Sequence, residues 1–289
     1  MVDASAGAAA LSGALSTAWA LVVRSRTKVN ADLIARAPHL ELIARAGVGV
    51  DNVDLAAAAA RNIRVVNAPA AASASVAELT VAFALMLVRE LWPSISGAKA
   101  GRWERGTRGG ELAGRAIGFV GYGRIAREVA RRLAPFGVRA AAYDPLVSRT
   151  EDGTALVALD ELLARSDIVS LHAAATSENR HLINASALAR MKQGAFLINV
   201  ARGSLVDEAA LVTALNSGQL GGAALDVYEV EPPMNRELIE HPKVIMTPHV
   251  GASTREAQQR AGRQVVEEIR RALRGEALTA LVPPPERGA

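Results

Sequence analysis

The chain has 289 residues, of which 50% are hydrophobic and 3% aromatic, and its formal net charge is +4. This length allows one large or two ordinary domains, and the lack of cysteine excludes disulfides, thiol catalysis and cysteine metal sites. Acidic residues are interspersed among the basic ones, so we expect a solvated surface and no nucleic-acid partner. No apolar stretch is long enough to span a membrane. The apolar run near the N-terminus lacks the basic region of a signal peptide, so we expect a cytoplasmic protein without membrane contact.

Strands and helices alternate through the first 70 residues. The pattern predicts a weak helix at residues 4–18, strands at 19–23, 40–44 and 63–66, a helix capped by Asn30 or Asp32, and a helix opened by Asp54. Such alternation implies a parallel sheet whose binding edge lies at the carboxyl ends of its strands. Arg24, Arg45 and the Pro69 loop fall on that edge.

The following stretch, residues 75–91, is apolar almost all round, which is atypical of a helix on the surface of a monomer. We expect a helix that is central, part of a subunit interface, or both. A polar arm is predicted after Pro93, with Trp103 among arginines. Basic residues around an aromatic can indicate nucleic-acid binding, but packing on a partner subunit is favoured, and we expect a homodimer or a dimer-based oligomer.

Residues 117–144 read as strand, glycine turn, helix, strand and acid, which is the order of a dinucleotide-binding βαβ unit. Gly121 permits the tight turn, and Gly123 lets the backbone approach a pyrophosphate at the helix N-terminus. Asp144 is placed to bind the ribose hydroxyls and to repel a 2′-phosphate, which favours NAD over NADP. The alternative is a glycine turn with a purely structural role.

Beyond Asp144 the alternation continues. The pattern predicts helices at residues 160–165, 184–191, 207–217 and 253–274, and strands at 167–172, 195–200, 223–227 and 244–247. The long last helix is expected to return to the first domain. We therefore predict an α/β protein with a Rossmann-type doubly wound parallel sheet and a second, smaller, discontinuous flavodoxin-like α/β domain. The expected NAD-binding domain is 76–256, and the expected substrate-binding domain is 1–75 with 257–289.

Three polar residues follow successive predicted strands: Arg202, Glu231 and His249. Separately, each could be a solvated arginine, a turn residue or a structural histidine. Together they supply the groups for hydride transfer to a 2-keto acid, since an arginine can hold a carboxylate bidentately and a histidine can exchange a proton near neutral pH. The glutamate would orient the imidazole, and a nicotinamide would carry out the redox step.

The sequence resembles the D-isomer-specific 2-hydroxyacid dehydrogenases over nearly the whole chain after residue 18. Within that family it is most similar to the enzymes that act on 3-phosphoglycerate, in a short form without a regulatory domain. The segments that carry the resemblance are ALVVRSRTKVNADLI, IARAGVGVDNVDL, VVNAP, AELT, GRWER, residues 112–144, NVARGSLVDEAAL, LDVYEVEPP and TPHVGAST. It implies an oxidoreductase that transfers a hydride between NAD and a small anionic D-2-hydroxy acid, with 3-phosphoglycerate in serine biosynthesis as the first expectation.

The resemblance also implies individual roles. The catalytic residues would be Arg202, Glu231 and His249, and no metal is implied. The NAD-binding residues would be Gly121, Gly123, Arg124, Ile125, Asp144, Thr176, Val200, Ala201, Arg202, Asp226, His249 and Gly251. The substrate-binding residues would be Arg24, Arg45 and Gly49, with Arg105 contributed by a neighbouring subunit.

Two departures from the family pattern leave alternatives open. The first strand, helix and strand of the family have no counterpart here, so a domain lacking its usual first strands is expected. Ala71 and Ala72 stand where the family shows a glycine and an asparagine that line the substrate loop. A glyoxylate or hydroxypyruvate reductase is therefore an alternative, and so is a non-catalytic NAD-binding corepressor-like protein or an inactive truncated paralogue.

Overall fold

The computed structural model of the chain describes residues 13–103, 105 and 109–285. In chain order its strands are β1 (Ala20–Val23), β2 (Leu42–Arg45), β3 (Arg64–Val66), β4 (Ala116–Val120), β5 (Arg139–Tyr143), β6 (Ala155–Leu156), β7 (Ile168–Leu171), β8 (Ala195–Asn199), β9 (Leu220–Leu225) and β10 (Val244–Met246). Its helices are α1 (Ala31–Ala35), α2 (Leu55–Ala60), α3 (Ser73–Val88), α4 (Leu91–Lys99), α5 (Arg124–Leu133), α6 (Leu159–Arg165), α7 (Ala185–Arg190), α8 (Glu208–Asn216), α9 (Arg236–Ile239) and α10 (Arg255–Leu273). These strands pair in parallel, so the predicted α/β class is confirmed.

The chain divides into two compact units. The central unit is Ser73–Gly251, and the discontinuous unit combines Met1–Ala72 with Ala252–Ala289. The sequence-based boundaries, 75/76 and 256/257, lie a few residues later. Of the weak helix predicted at residues 4–18, residues 1–12 lie outside the described part of the chain, and residues 13–15 are helical.

The discontinuous unit contains a parallel sheet in the order β1-β2-β3. Its short helices begin where side chains accept a backbone N–H: Asn30 accepts from Leu33 at 3.0 Å and Asp54 accepts from Ala57 at 2.9 Å. Such capping satisfies donors that have no partner inside the helix. Both of these helix starts agree with the sequence pattern.

Apolar side chains cover both faces of this small sheet. One cluster includes Ile34, Ile43 and Val65, and a second joins Leu42 and Val265, the latter from α10. Because both faces of the central strand β2 are buried, its sequence is a continuous apolar run rather than an alternating one.

A C-terminal segment closes the β3 side of the sheet. Val66 forms an antiparallel bridge with Leu281, and the Val282 N–H donates to Val65 O at 2.8 Å. The buried Glu268 carboxylate accepts from the Thr279 backbone N–H at 2.9 Å and from the Thr279 hydroxyl at 2.5 Å. These bonds attach the segment to α10 and to the sheet edge, which an unpaired strand would otherwise expose.

The central unit contains a seven-stranded parallel sheet in the order β10-β9-β8-β7-β4-β5-β6. The order reverses beside β4, which pairs with β5 on one side and with β7 on the other. Doubly wound sheets bind ligands at the carboxyl ends of the strands that flank such a reversal. Helix α3 packs against α5, β8 and β9, whereas Leu162, Leu188 and Leu211 of α6, α7 and α8 join the main apolar cluster.

The prediction of a helix at residues 75–91 followed by an arm from Pro93 is wrong about where the arm begins, because a second helix follows the first. Helix α3 ends at Val88, Glu90 adopts a φ of 49°, and α4 then runs from Leu91 to Lys99. Pro93 lies in the first turn of α4, where backbone N–H groups have no intrahelical acceptor, so the proline does not interrupt the helix. The arm therefore begins after Lys99.

Two short elements in the central unit were not predicted. Strand β6 has two residues and pairs with β5, and α9 has four residues capped by Asn235. Both elements contain too few residues for a hydrophobic periodicity to be recognised in the sequence. Within the described residues, no helix is long and apolar enough to cross a membrane.

Candidate active site

The glycine turn between β4 and α5 lies at the strand-order reversal. Gly121 has a φ of 86°, a conformation that favours glycine. A Cβ added at Gly121 would lie 2.6 Å from the backbone nitrogen of Ala173, which follows β7. Only glycine allows the ends of β4 and β7 to approach this closely.

Gly123 differs from Gly121 because a Cβ added there would meet no atom within 4 Å. It is the N-cap of α5 and supplies no capping side chain, so backbone N–H groups of Arg124 and Ile125 are directed toward open space at a positive helix end. Arg124 is exposed and Ile125 half-buried. An open space at an uncapped helix N-terminus fits the pyrophosphate of a dinucleotide.

Asp144 follows β5 and is fixed by backbone donors. Its Oδ2 accepts from the Tyr122 N–H at 2.7 Å, and its Oδ1 accepts from the Leu146 N–H at 2.9 Å. Each carboxylate oxygen retains acceptor capacity, so the same group fits the hydroxyls of a ribose. The glycine turn, the open helix end and this acid together fit NAD.

The end of β7 supplies the next group of expected cofactor contacts. Thr176 lies in an exposed turn in which Asn179 Oδ1 accepts its N–H at 2.8 Å. Just before this turn, His172 Nε2 lies 2.9 Å from the Ser170 hydroxyl. Burial lowers the pKa of His172 from its ordinary value to about 3, so its imidazole is neutral at physiological pH.

The loop after β8 carries Arg202. Asn199, 1% exposed, accepts the Ala201 N–H at 3.1 Å and donates to the Arg202 carbonyl at 2.9 Å. Val200 and Ala201 are buried. A Cβ added at Gly203 would collide with the backbone of Tyr228, so the loop packs directly on the segment that leads to Glu231.

Glu231 and His249 follow β9 and β10, which neighbour each other in the sheet. His249 Nδ1 lies 2.8 Å from Glu231 Oε2 and 3.0 Å from Oε1. His249 has a φ of 51°, in the left-handed region. The pair is partly exposed, with 49% of the His249 side chain accessible, so the imidazole can reach a ligand as well as its carboxylate.

Asp226 fastens the loop that carries His249. It is 2% exposed; its Oδ1 accepts from the Thr247 hydroxyl at 2.6 Å and from the Val250 N–H at 2.8 Å, and its Oδ2 accepts from the Gly251 N–H at 2.8 Å. These three bonds hold both sides of His249. In this structure the carboxylate therefore organises the loop, and the cofactor contact expected from the sequence stays a prediction.

A second histidine–carboxylate pair joins the loop that follows Arg202 to the segment that precedes Glu231. His181 Nε2 lies 2.5 Å from Glu229 Oε1, and the Glu229 N–H donates to Glu208 Oε1 at 2.9 Å. Burial raises the pKa of Glu208, although the bond from the Glu229 N–H lowers it in part. Since the His181 N–H also donates to Ser204 O, this network connects the segments that follow Arg202 and precede Glu231.

The expected substrate residues of the discontinuous unit lie at the carboxyl edge of its sheet. Val23 of β1 pairs with Arg45 of β2. Arg24 therefore directly follows β1, and Arg45 is the last residue of the adjacent strand β2. Arg24 is exposed, while Arg45 and Gly49 are half-buried. Asn52 donates to the carbonyls of Arg24 and Thr27 at 2.9 and 2.7 Å, which holds the Arg24 loop in place.

Arg105 lies on the arm of the central unit. Its guanidinium carbon is 5.8 Å from the ring centroid of Trp103, which is 76% exposed. This is cation–π distance. Arg108 of the same arm lies outside the described residues.

Several polar groups of the site were not singled out from the sequence. Asn199 is the last residue of β8, and Thr247 directly follows β10. Their positions at strand ends are the sequence feature that could have identified them. Tyr122 and Asp152 gave no signal, because a hydrogen bond across 30 residues depends on the tertiary fold.

Among known proteins, residues 81–251 match the family described as "D-isomer specific 2-hydroxyacid dehydrogenase, NAD binding domain". The chain is 46% identical over 270 residues to D-3-phosphoglycerate dehydrogenase of Mycobacterium bovis, covering 92% of this chain but 51% of that relative. It thus spans about half the length of that relative.

Other relatives differ in substrate. Hydroxypyruvate reductase of Thermotoga maritima is 44% identical over 253 residues, covering 86% of this chain and 83% of that protein. The structure of an NAD-dependent formate dehydrogenase from Staphylococcus aureus in complex with NAD has a TM-score of 0.85 and 35% identity, covering 94% of this chain and 85% of that one. The shared fold therefore does not by itself determine the substrate.

Proposed function

Because the chain belongs to the D-isomer specific 2-hydroxyacid dehydrogenase family, we propose that it is an NAD-dependent dehydrogenase with 3-phosphoglycerate as its first candidate substrate. The contact between His249 and Glu231 is the observation that carries this proposal. A histidine whose Nδ1 faces a carboxylate at 2.8 Å keeps its Nε2 for proton exchange with a ligand. Arg202, after the strand beside β9, supplies the permanent positive charge.

In the oxidation of a 2-hydroxy acid, Arg202 would hold the substrate carboxylate and the oxygen that becomes the carbonyl. His249 Nε2 would take the hydroxyl proton, and Glu231 would stabilise the resulting imidazolium through Nδ1. Bound NAD would accept the hydride. The reverse reaction uses the same groups, with His249 donating the proton to the keto oxygen.

The residues that would hold NAD fall into two groups. Gly121, Gly123, Arg124, Ile125 and Asp144 would bind the adenosine and pyrophosphate half. The remainder would lie toward the nicotinamide half: Thr176, Val200, Ala201, Arg202, Asp226, His249 and Gly251.

The phosphate of 3-phosphoglycerate is assigned to Arg24 and Arg45, together with Gly49 of the loop after β2 and Arg105 supplied by a second subunit. Additional arginines strengthen the binding of a phosphate dianion more than they strengthen the binding of a small monoanionic acid. The relative from Mycobacterium bovis supports this choice.

A second candidate is a hydroxypyruvate or glyoxylate reductase. Ala71 and Ala72 have methyl side chains that offer no polar group to a substrate, and each is 3% exposed. The relative named hydroxypyruvate reductase also matches along most of its length. Both observations favour a smaller substrate than 3-phosphoglycerate.

The proposal includes a homodimer formed through α3, α4 and the arm, in the cytoplasm, where NAD and small metabolites are available. Trp92 and Ile95 of α4 are 41% and 43% exposed, and Trp103 is more exposed still. Trp92 also lines an apolar pocket of about 300 Å³, together with residues that include Met86, Phe196 and Ile245. Clustered exposed apolar groups of this kind indicate a protein interface.

The test is NADH consumption by the purified protein with phosphohydroxypyruvate, hydroxypyruvate and glyoxylate in parallel. We expect the highest kcat/KM with phosphohydroxypyruvate. A preference for either smaller acid would support the second candidate, and no consumption with all three would refute the dehydrogenase proposal. Light scattering of the same sample measures whether the mass is that of two chains.

A further inference from the structure

Tyr122, between the two glycines of the turn, makes an unusual set of contacts. Its side chain is 2% exposed, yet its hydroxyl lies 2.6 Å from Asp152 Oδ2 and 2.6 Å from the Thr154 hydroxyl. Burial, followed by the bond to Asp152, raises the pKa of Tyr122 to about 12. The phenol therefore stays neutral and donates a hydrogen bond to the Asp152 carboxylate.

The partner residues belong to the segment 145–154, which follows Asp144. Most of this segment is exposed, including Leu146 at 93%. The ion pair that also ties it to α5, Arg127 to Glu151 at 3.6 Å, involves a glutamate that is 89% exposed, and such a pair contributes little. The buried phenol is thus a principal attachment of the segment to the glycine turn.

The backbone of Tyr122 has a second role. Its N–H donates to Asp144 Oδ2, while the Leu146 N–H donates to Asp144 Oδ1. One residue thereby connects the glycine turn, the ribose-binding acid and the segment that begins beside that acid. Movement of the segment would shift Leu146 and, through it, the Asp144 carboxylate.

We propose that the Tyr122 hydroxyl, held by Asp152 and Thr154, is a positioning group that fixes segment 145–154 and so sets the affinity and selectivity with which Asp144 binds the adenosine ribose of NAD. This inference rests on the proposed function, since it assigns that end of the site to NAD. A preordered segment loses little conformational freedom on binding, and a fixed carboxylate repels a 2′-phosphate most strongly.

Tyr122→Phe removes the hydroxyl alone and is the direct test. Titration of the 289-residue chain with ADP-ribose, NADH and NADPH, monitored by calorimetry and by nicotinamide fluorescence, requires no turnover. We expect the Kd for ADP-ribose to rise by roughly tenfold, because binding to the variant must first order segment 145–154. We expect the Kd for NADPH to rise less, so that the ratio of the NADPH Kd to the NADH Kd falls.

Tyr228→Phe is the matched control. Tyr228 is also buried, and its hydroxyl donates to the carbonyls of Leu225 and Thr247 at 3.0 and 2.8 Å. Its loss should lower Tm comparably but should leave ADP-ribose binding unchanged, because Tyr228 follows β9, away from the glycine turn. Equal effects of the two variants on ADP-ribose would overturn the inference.

Asp152→Ala provides a second variant that should fold, since Asp152 is exposed. It should weaken ADP-ribose binding in the same direction as Tyr122→Phe, and unchanged binding in both variants would refute the positioning role. Wild-type protein that binds neither NADH nor ADP-ribose would instead remove the proposed function, and this inference with it.

Discussion

His249 Nδ1 lies 2.8 Å from Glu231 Oε2, and this contact joins the loops that follow two neighbouring strands, β10 and β9. The histidine maintains the contact from a backbone φ of 51°. Under the proposed function, two requirements therefore meet at His249: an imidazole for proton transfer and a residue type that tolerates the left-handed region.

Substitution of His249 should separate chemistry from cofactor binding. His249→Asn is preferable to alanine because asparagine tolerates a positive φ. We expect kcat to fall by roughly 10²–10⁴-fold, the usual contribution of a general acid–base group, while NADH affinity measured by fluorescence is retained. His241→Asn, at the opposite end of β10, serves as control and should keep turnover. Equal losses of turnover and NADH binding in His249→Asn would indicate a structural histidine.

Arg202 should not tolerate the conservative change to lysine. A lysine retains the charge but loses the planar pair of donors that a carboxylate accepts. We expect kcat/KM for the keto acid to fall by about 10²-fold or more, with a much smaller rise in the Kd for NADH. Steady-state kinetics with saturating NADH measures the loss, and a lysine variant with wild-type kcat/KM would contradict bidentate binding.

Arg24→Ala should distinguish a phosphorylated substrate from a smaller one. We expect KM for phosphohydroxypyruvate to rise by roughly tenfold or more, because a charge-assisted bond to the phosphate is lost, and KM for hydroxypyruvate to rise far less. Arg26→Ala, an exposed arginine of the same loop, is the matched control. Equal increases for both acids would remove the phosphate assignment.

Asp226→Asn should loosen the loop that carries His249. The amide would present a donor where the carboxylate accepts three hydrogen bonds, and it would leave a buried backbone N–H unsatisfied at a cost of about 2 kcal/mol. For a protein of this size we expect Tm to fall by roughly 4–8 °C, together with a loss of kcat. Thr247→Val removes one of the donors and should cause a smaller decrease, and an unchanged Tm in Asp226→Asn would contradict the bracing role.

His172 should make the stability of the protein depend on pH in the acidic range. Its pKa falls from an ordinary 6.5 to about 3 on folding, so between these values the unfolded chain binds the additional proton. Stability is therefore complete above pH 6.5 and is lost as the pH falls toward 3, by at most about 1.4 kcal/mol per pH unit. Urea unfolding of wild type and His172→Gln between pH 7 and 4.5 should show a shallower slope for the variant, and parallel slopes would contradict a buried neutral histidine.

Local features of the fold could be predicted from the sequence because they depend on neighbouring residues. Asn30 and Asp54 cap helices as expected, and the glycine turn lies between a strand and a helix. Helix α4 was not predicted because a proline usually indicates the end of a helix. Pro93 instead lies in the first turn of α4, where a proline is tolerated. Strand β6 was not predicted because two residues are too few to show the alternation of apolar and polar side chains that indicates a strand.

The candidate site divides in the same way. The positions of Glu231 and His249 after strands predicted that they would lie at one sheet edge, and the structure brings them into contact. The roles of the expected cofactor and substrate residues stay predictions. The partners of Asp226, Asn199 and Tyr122 could not be foreseen, because each bond depends on how separate loops pack.

The composition of the discontinuous unit has a consequence for the order of folding during synthesis. Residues 73–251 leave the ribosome as one uninterrupted stretch and can fold as soon as they emerge. Strands β1 to β3 are made earlier, yet one face of their sheet is completed only by Val265 of α10, and the β3 edge only by Leu281. Strands β1 to β3 therefore precede the central unit in synthesis but can complete their packing only after it, and until then the apolar side chains on that face stay uncovered.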